Sequence, residues 1–278
     1  MGTCRISTFL LVFCSSLLFG QTPSAGAGST SGAAQQARDC ETSPIPNVNQ
    51  LALLHWYGAN TVTNITIGGA PNGIAFDGQN MWFVNTALGF VSKIRANDGA
   101  LLGKFRVGKF PGYAAFDGAN IWVTNLGDNT VSKLRASDGT NLGSFPTGNF
   151  PWVILFDGES IWVADIKDNA VSKLRPSDGK TVGFFPAGPN PIGLAFDGQN
   201  VWVANQAGAN TVTKLRASDG MLLGTFPVGQ NPVGVTFDGR SIWVANFSSN
   251  TVTRLRPADG KITGTFTVGS NPQFIAFD

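Results

Sequence analysis

The sequence predicts an all-β fold of the β-propeller class, and three observations carry that expectation. A passage of about forty residues recurs down the chain almost verbatim, and self-similarity at that period belongs to stacked supersecondary units. Inside each copy, four short β-rich runs are separated by turn signals, which makes each copy one small antiparallel sheet. A tryptophan also stands in register in every full copy, at Trp82, Trp122, Trp162, Trp202 and Trp243.

Aligned on the proline that opens each unit, the copies begin at Pro71, Pro111, Pro151, Pro191, Pro232 and Pro272, a spacing of 40, 40, 40, 41 and 40. The consensus reads PxGxAFDGxxIWVANxxxNTVTKLRxSDGxLLGTFPVGxN, and the single insertion lies in NQAGAN, residues 205–210. In residues 112–148 the four runs are GYAAF, IWVTN, TVSKLR and NLGSFPTG. FDG follows the first run and SDG, NDG or ADG the third, where Asp-Gly supplies the positive φ angles of tight turns. The second run is apolar on both faces, so it needs a sheet packed on each side. An Asn or Asp three residues after each tryptophan caps it. Each indole removes roughly 150–250 Å² from water, about 4–6 kcal/mol as an upper bound. The tryptophans are therefore expected to be the structural glue between blades.

Residues 49–71 align without gaps on residues 210–232, as a third-and-fourth-strand hairpin lacking its first two strands. The last copy, ending in FIAFD, supplies a first strand without successors. The expectation is five complete blades and a composite, incomplete sixth that joins the two ends. Its missing second strand reads as truncation of a longer chain. The propeller should span 47–278.

Ahead of it, residues 1–20 have one positive charge, Arg5, and then the apolar stretch ISTFLLVFCSSLLFG. This reads as a secretory signal peptide, too short to span a bilayer. Residues 21–46 are rich in Ser, Gly, Ala, Gln and Thr and read as a flexible low-complexity leader. The mature chain is then expected to be secreted or periplasmic, without a transmembrane segment, and because only Cys40 remains it cannot form an internal disulfide, so stability rests on packing. Losing Arg5 leaves 18 basic against 17 acidic residues, a balance with no general attraction for polyanions. Nucleic acid is not an expected partner, and the molecule is expected to be a monomer.

The IWVANxxxNTVTKLR and PxGIAFDG motifs of residues 49–278 resemble those of extracytoplasmic YVTN-type β-propellers, with Trp where the namesake motif has Tyr. That broad superfamily also holds NHL-repeat proteins, streptogramin lyase-like and gluconolactonase-like propellers. The resemblance implies the fold, while the motifs that carry it are blade scaffolding and leave the activity open.

In such a fold the loops leaving the fourth strands and those joining second to third strands share one face. There the second and third copies depart from consensus at Lys109, Phe110, Tyr113, Asp128, Phe150, Trp152, Asp165, Lys167 and Asp168. Rings for stacking and carboxylates for a cation, an amine or a sugar hydroxyl make these the candidate ligand-binding residues. The faithfully repeated acids read as turn residues instead: Asp77, Asp117, Asp157, Asp197 and Asp238, then Asp98, Asp138, Asp178, Asp219 and Asp259. The third strands carry Lys and Arg on one face, a ladder that those acids neutralise and whose stems pack between blades.

His55 is the only histidine, so multi-histidine metal sites are excluded. Resemblance to streptogramin lyase implies a histidine base near a divalent metal on the loop-rich face, and this chain departs there. Asn85, Asn125, Asp165, Asn205 and Asn246 occupy equivalent strand ends. They read as Asx turns, with calcium ligation as the competing use. No catalytic set emerges. The function expected is a non-catalytic binding module for a small molecule, glycan or protein, without cofactor. The alternative is a metal-dependent lactonase or streptogramin lyase-like enzyme using calcium or magnesium.

Overall fold

The computed structural model describes residues 11–13, 67 and 70–277. After β1 (Leu11–Phe13), the first sheet is β2 (Pro71–Phe76), β3 (Asn80–Asn85), β4 (Phe90–Arg95) and β5 (Leu101–Arg106). The second is β6 (Pro111–Phe116), β7 (Asn120–Asn125), β8 (Thr130–Arg135) and β9 (Asn141–Pro146), and the third β10 (Pro151–Phe156), β11 (Ile161–Asp165), β12 (Ala170–Leu174) and β13 (Thr181–Pro186). The fourth is β14 (Pro191–Phe196), β15 (Asn200–Asn205), β16 (Thr211–Arg216) and β17 (Leu222–Pro227). The fifth is β18 (Pro232–Phe237), β19 (Ile242–Asn246), β20 (Thr251–Leu255) and β21 (Ile262–Thr267), and β22 (Phe274–Ala276) opens the incomplete sixth. Each of the five is a four-stranded antiparallel meander in sequence order. Consecutive first strands pack on one another, from β2 against β6 through β18 against β22, which is how blades stack in a propeller.

The expected hairpin of residues 49–66 lies outside the described residues, as do the low-complexity leader and most of the stretch read as a signal peptide. Of that stretch, Leu11–Phe13 pairs antiparallel with β22, Val12 opposite Ile275.

Each turn works as its sequence dictates. After β6, Asp117 Oδ1 accepts the backbone N–H groups of Ala119 and Asn120 at 2.8 and 2.6 Å, and Gly118 takes a φ of 96° that a side chain would strain. The same carboxylate's Oδ2 accepts the Trp122 indole N–H at 2.7 Å. The bond recurs from Trp82, Trp162, Trp202 and Trp243 to the matching aspartates. A buried indole needs such a partner, so the repeated FDG acids are structural.

Among the described residues, four tryptophans are fully buried: Trp82, Trp122, Trp162 and Trp202. Trp82 packs with Ile121, Val123 and Leu134 of the second sheet, and Trp202 with Val235, Ile242 and Leu255 of the fifth, so the indole layer does join blades. Over each ring lies a third-strand lysine: Lys93, Lys133, Lys173 and Lys214 stand 5.0–5.2 Å from the indole centroids. Their ammonium groups donate to turn carbonyls of the next blade, Ala136, Pro176, Ala217 and Pro257, at 2.6–2.7 Å. The arginines two positions on turn outward to pair with the acid three residues later, as in Arg95–Asp98 and Arg256–Asp259. At both ends of the series the packing thins. Ile74 and Phe76 of the first sheet are each 52% exposed, and Trp243 is only half-buried.

Candidate functional site

The two expected sets of loops meet on one face. Leu126 and Gly127, leaving β7, donate their N–H groups to the Phe110 and Lys109 carbonyls at 3.1 and 3.0 Å, and Ile166 and Lys167 do the same to Phe150 and Asn149 at 3.2 Å. Each exit loop, the one leaving a fourth strand, is thereby laid along the turn between the second and third strands of the next blade. The residue before the opening proline has positive φ in five of the six copies: Phe110 at 49°, Phe150 at 60°, Asn190 at 54°, Asn231 at 57° and Asn271 at 55°. Asparagine tolerates this region, whereas a bulky ring there is strained. Phe150 is held in place by the Asn129 side chain, whose Oδ1 accepts its N–H at 3.0 Å.

The first strands begin with a bulge, the register slipping between Pro111 and Ala114 and between Pro151 and Ile154. Bulges re-aim side chains, and these two carry Tyr113 and Trp152. Their rings lie 5.5 Å apart at 59°, and Trp152 runs nearly parallel to Phe150, 6.3 Å away at 6°. Phe274 of β22 reaches Tyr113 at 6.4 Å. Burial pushes the Tyr113 hydroxyl's pKa up. Behind the rings, Thr124 Oγ1 accepts the Tyr113 N–H at 2.9 Å and donates to the Trp152 carbonyl at 2.8 Å, tying the two bulges together.

The candidate residues do not all join this cluster. Phe150, Trp152 and Tyr113 form it, and Lys167 lies 4.9 Å above the Phe150 ring. Asp168 accepts the Asn149 backbone and side-chain N–H groups at 2.6 and 2.8 Å, so it shapes the loop carrying Phe150. Asp128 does the same one blade earlier, accepting the Lys109 N–H at 2.7 Å with the Lys109 ammonium 3.8 Å away. Phe110 beside it is 62% exposed. Asp165 is fully buried behind the face.

Asp165 occupies the strand end that other blades give to asparagine. Asn125 accepts the Gly108 N–H at 3.0 Å and donates to Thr130 and Ser132 at 3.0 and 2.9 Å, and Asn205 repeats this with Gly188, Thr211 and Thr213. In the third blade the threonine is replaced by Ala170, Ser172 donates its hydroxyl to Asp165 Oδ2, and Oδ1 is buried without a partner. Burial foremost, with the nearby Asp168 charge, raises the Asp165 pKa to about 7 against the Ser172 hydrogen bond. The asparagine oxygens of the second and fourth blades are taken up by the Gly108 and Gly188 N–H groups, whereas those of Asn85 and Asn246, like Asp165 Oδ1, are buried without a partner. Among the described residues no three His, Cys, Asp or Glu side chains converge.

Two contributors escaped the sequence reading. Thr124 stands where the other blades have Val84, Ala164, Ala204 and Ala245, and Phe274 where three copies have Gly73, Gly193 and Gly234. Both were visible as departures from consensus, but on strands rather than loops. The paired change to Asp165 and Ala170 showed its meaning only once the two were seen as neighbours.

The fold is that of a β-propeller. Virginiamycin B lyase from Staphylococcus aureus superposes with a TM-score of 0.66 at 19% identity, over 76% of this chain and 75% of that one. A catalytically inactive variant of that enzyme with quinupristin gives 0.66 at 19% identity, over 77% and 76%. Kuenenia stuttgartiensis hydrazine synthase gives 0.62 at 19% identity, over 73% and 67%. No family model and no curated protein matches the sequence.

Proposed function

We propose that the chain is a secreted or periplasmic binding propeller that takes its ligand, a small molecule, glycan or protein, on the loop face around Phe150, Trp152 and Tyr113. The supporting observation is the backbone of Phe110 and Phe150. Two rings sit in the left-handed region at positions that three other copies fill with Asn190, Asn231 and Asn271. Such strain costs on the order of 1–3 kcal/mol and collects at functional sites. Fluorine NMR of protein labelled with fluorotryptophan, titrated with a fragment library, tests the assignment. The Trp152 resonance, identified by its loss in Trp152→Ile, is expected to move first, and fragments that shift only other tryptophans would count against it.

The second reading is a metal-dependent lyase or lactonase. It draws on the likeness to virginiamycin B lyase, which at this identity concerns the fold. Incubating the protein with quinupristin, with and without magnesium or calcium, and following the substrate by mass spectrometry separates the two. Turnover abolished by chelator favours the enzyme, and unchanged substrate favours the binding module.

A further inference from the structure

The charged residues of this molecule are unevenly placed. In the connecting loops 86–89, 107–110, 126–129, 147–150, 166–169, 187–190, 206–210, 228–231, 247–250 and 268–271, the only charged side chains are Lys109, Asp128, Lys167 and Asp168. These number two of each sign and are engaged locally, Lys109 with Asp128, Asp168 with Asn149 and Lys167 over Phe150. The opposite face carries the five Arg–Asp pairs and the five FDG acids. A ligand drawn by charge would find its partner there and not at the rings.

The loop face offers amides in place of charge. Around the rings, Asn129 Nδ2 donates to Asn149 Oδ1 at 3.1 Å, and in the next blade Asn190 Nδ2 donates to Gln206 Oε1 at 2.9 Å. A planar amide presents donors and an acceptor side by side, which suits a hydroxyl group that must both give and take a hydrogen bond. Phe150 has Trp152 stacked against it and Lys167 over its ring, which leaves the half-buried Trp152 ring as the apolar surface against which the C–H face of a sugar ring can lie. Neutral charge, dense amides and flat rings together select one chemistry.

We infer that the loop face is a site for neutral carbohydrate, one sugar ring lying against Trp152, which Phe150 backs, while its hydroxyls bond the flanking amides. This rests on the binding reading above and narrows it. The test is titration calorimetry of the full chain with cellohexaose, maltohexaose, xylohexaose and chitohexaose, with hexagalacturonate as the anionic comparison. Two variants borrow residues that other blades already hold at the same positions, so folding is preserved: Trp152→Ile, as Ile192, and Phe150→Asn, as Asn190. At least one neutral oligosaccharide is expected to bind, indifferent to salt because no ion pair forms, and to weaken at least about tenfold in each variant. Binding by none of the four, affinity unchanged in Trp152→Ile, or preference for hexagalacturonate would overturn the carbohydrate assignment. Quinupristin serves as the apolar probe. If it alone binds and is lost in Trp152→Ile, the carbohydrate assignment fails and the binding reading stands, whereas if no probe responds to the variant, both fail.

Discussion

Lys93 lies across the indole of Trp82, 5.1 Å from its centroid, and its ammonium crosses to the next blade to meet the Ala136 carbonyl at 2.7 Å. One side chain thus covers the ring that fills the interface and bolts the two sheets together. Arg254 holds the same place in the fifth blade. It stacks on Trp243 and Phe266 at 5.5 and 5.7 Å but bonds Thr263 of its own sheet.

Lys133→Met should therefore cost more than Arg254→Met. The first keeps an apolar stem over Trp122 but leaves the Pro176 carbonyl without its charged donor, a loss of about 2 kcal/mol. The second removes an intrablade contact and should cost under about 1 kcal/mol. Urea unfolding of both variants measures the difference.

Asp165 should make the protein less stable as pH rises. Its carboxyl holds a proton up to about pH 7 in the fold, while in the unfolded chain it lets go near the ordinary carboxylate value. Stability is full below the unfolded pKa and falls as pH climbs, the loss being complete past the folded value and on the order of 4 kcal/mol. Asp165→Asn should remove that slope, gaining about 2–4 kcal/mol at pH 8 and little at pH 4. Thermal unfolding across this range checks it. Asp117 acts in the opposite sense. Burial works to raise its pKa, but hydrogen bonds from Trp122 and Asn120 outweigh it and hold the group below the usual range, so its contribution is lost as pH falls.

Phe110→Asn should stabilise the fold by about 1 kcal/mol, because asparagine accepts the left-handed backbone that phenylalanine resists. Phe150→Asn should gain less, since it also gives up the ring contact with Trp152, roughly 0.5–1.5 kcal/mol. Denaturation midpoints of the two variants decide the order.

Thr124→Val preserves shape and removes the hydroxyl that joins Tyr113 to Trp152. The two backbone groups it served would be left short of a partner, at about 1–3 kcal/mol. Near-ultraviolet circular dichroism should show the aromatic signal altered along with the lower stability.

The blades were legible because their signals are local and repeated. Asp-Gly after each first and third strand, an indole at a fixed offset and a proline at each opening recur without depending on any distant residue. The Phe110, Phe150 and Trp152 departures were legible for the same reason, as breaks in a printed pattern. What the loop acids do was not. Asp128 and Asp168 read as carboxylates offered to a ligand, whereas each carboxylate binds the backbone of an exit loop 19 residues earlier.

By itself the amino-acid order determined the repeating unit, its four strands and turns, and the apolar layer between sheets, since those follow from periodicity within forty residues. Only the tertiary structure decided which departures meet. Thr124 finds the Trp152 carbonyl 28 residues on, Lys133 finds Pro176 43 residues on, and Asp165 is sealed away from the face it was expected to line. Such contacts depend on how one twisted sheet is set against the next, and that angle is fixed by the packed side chains of both blades together.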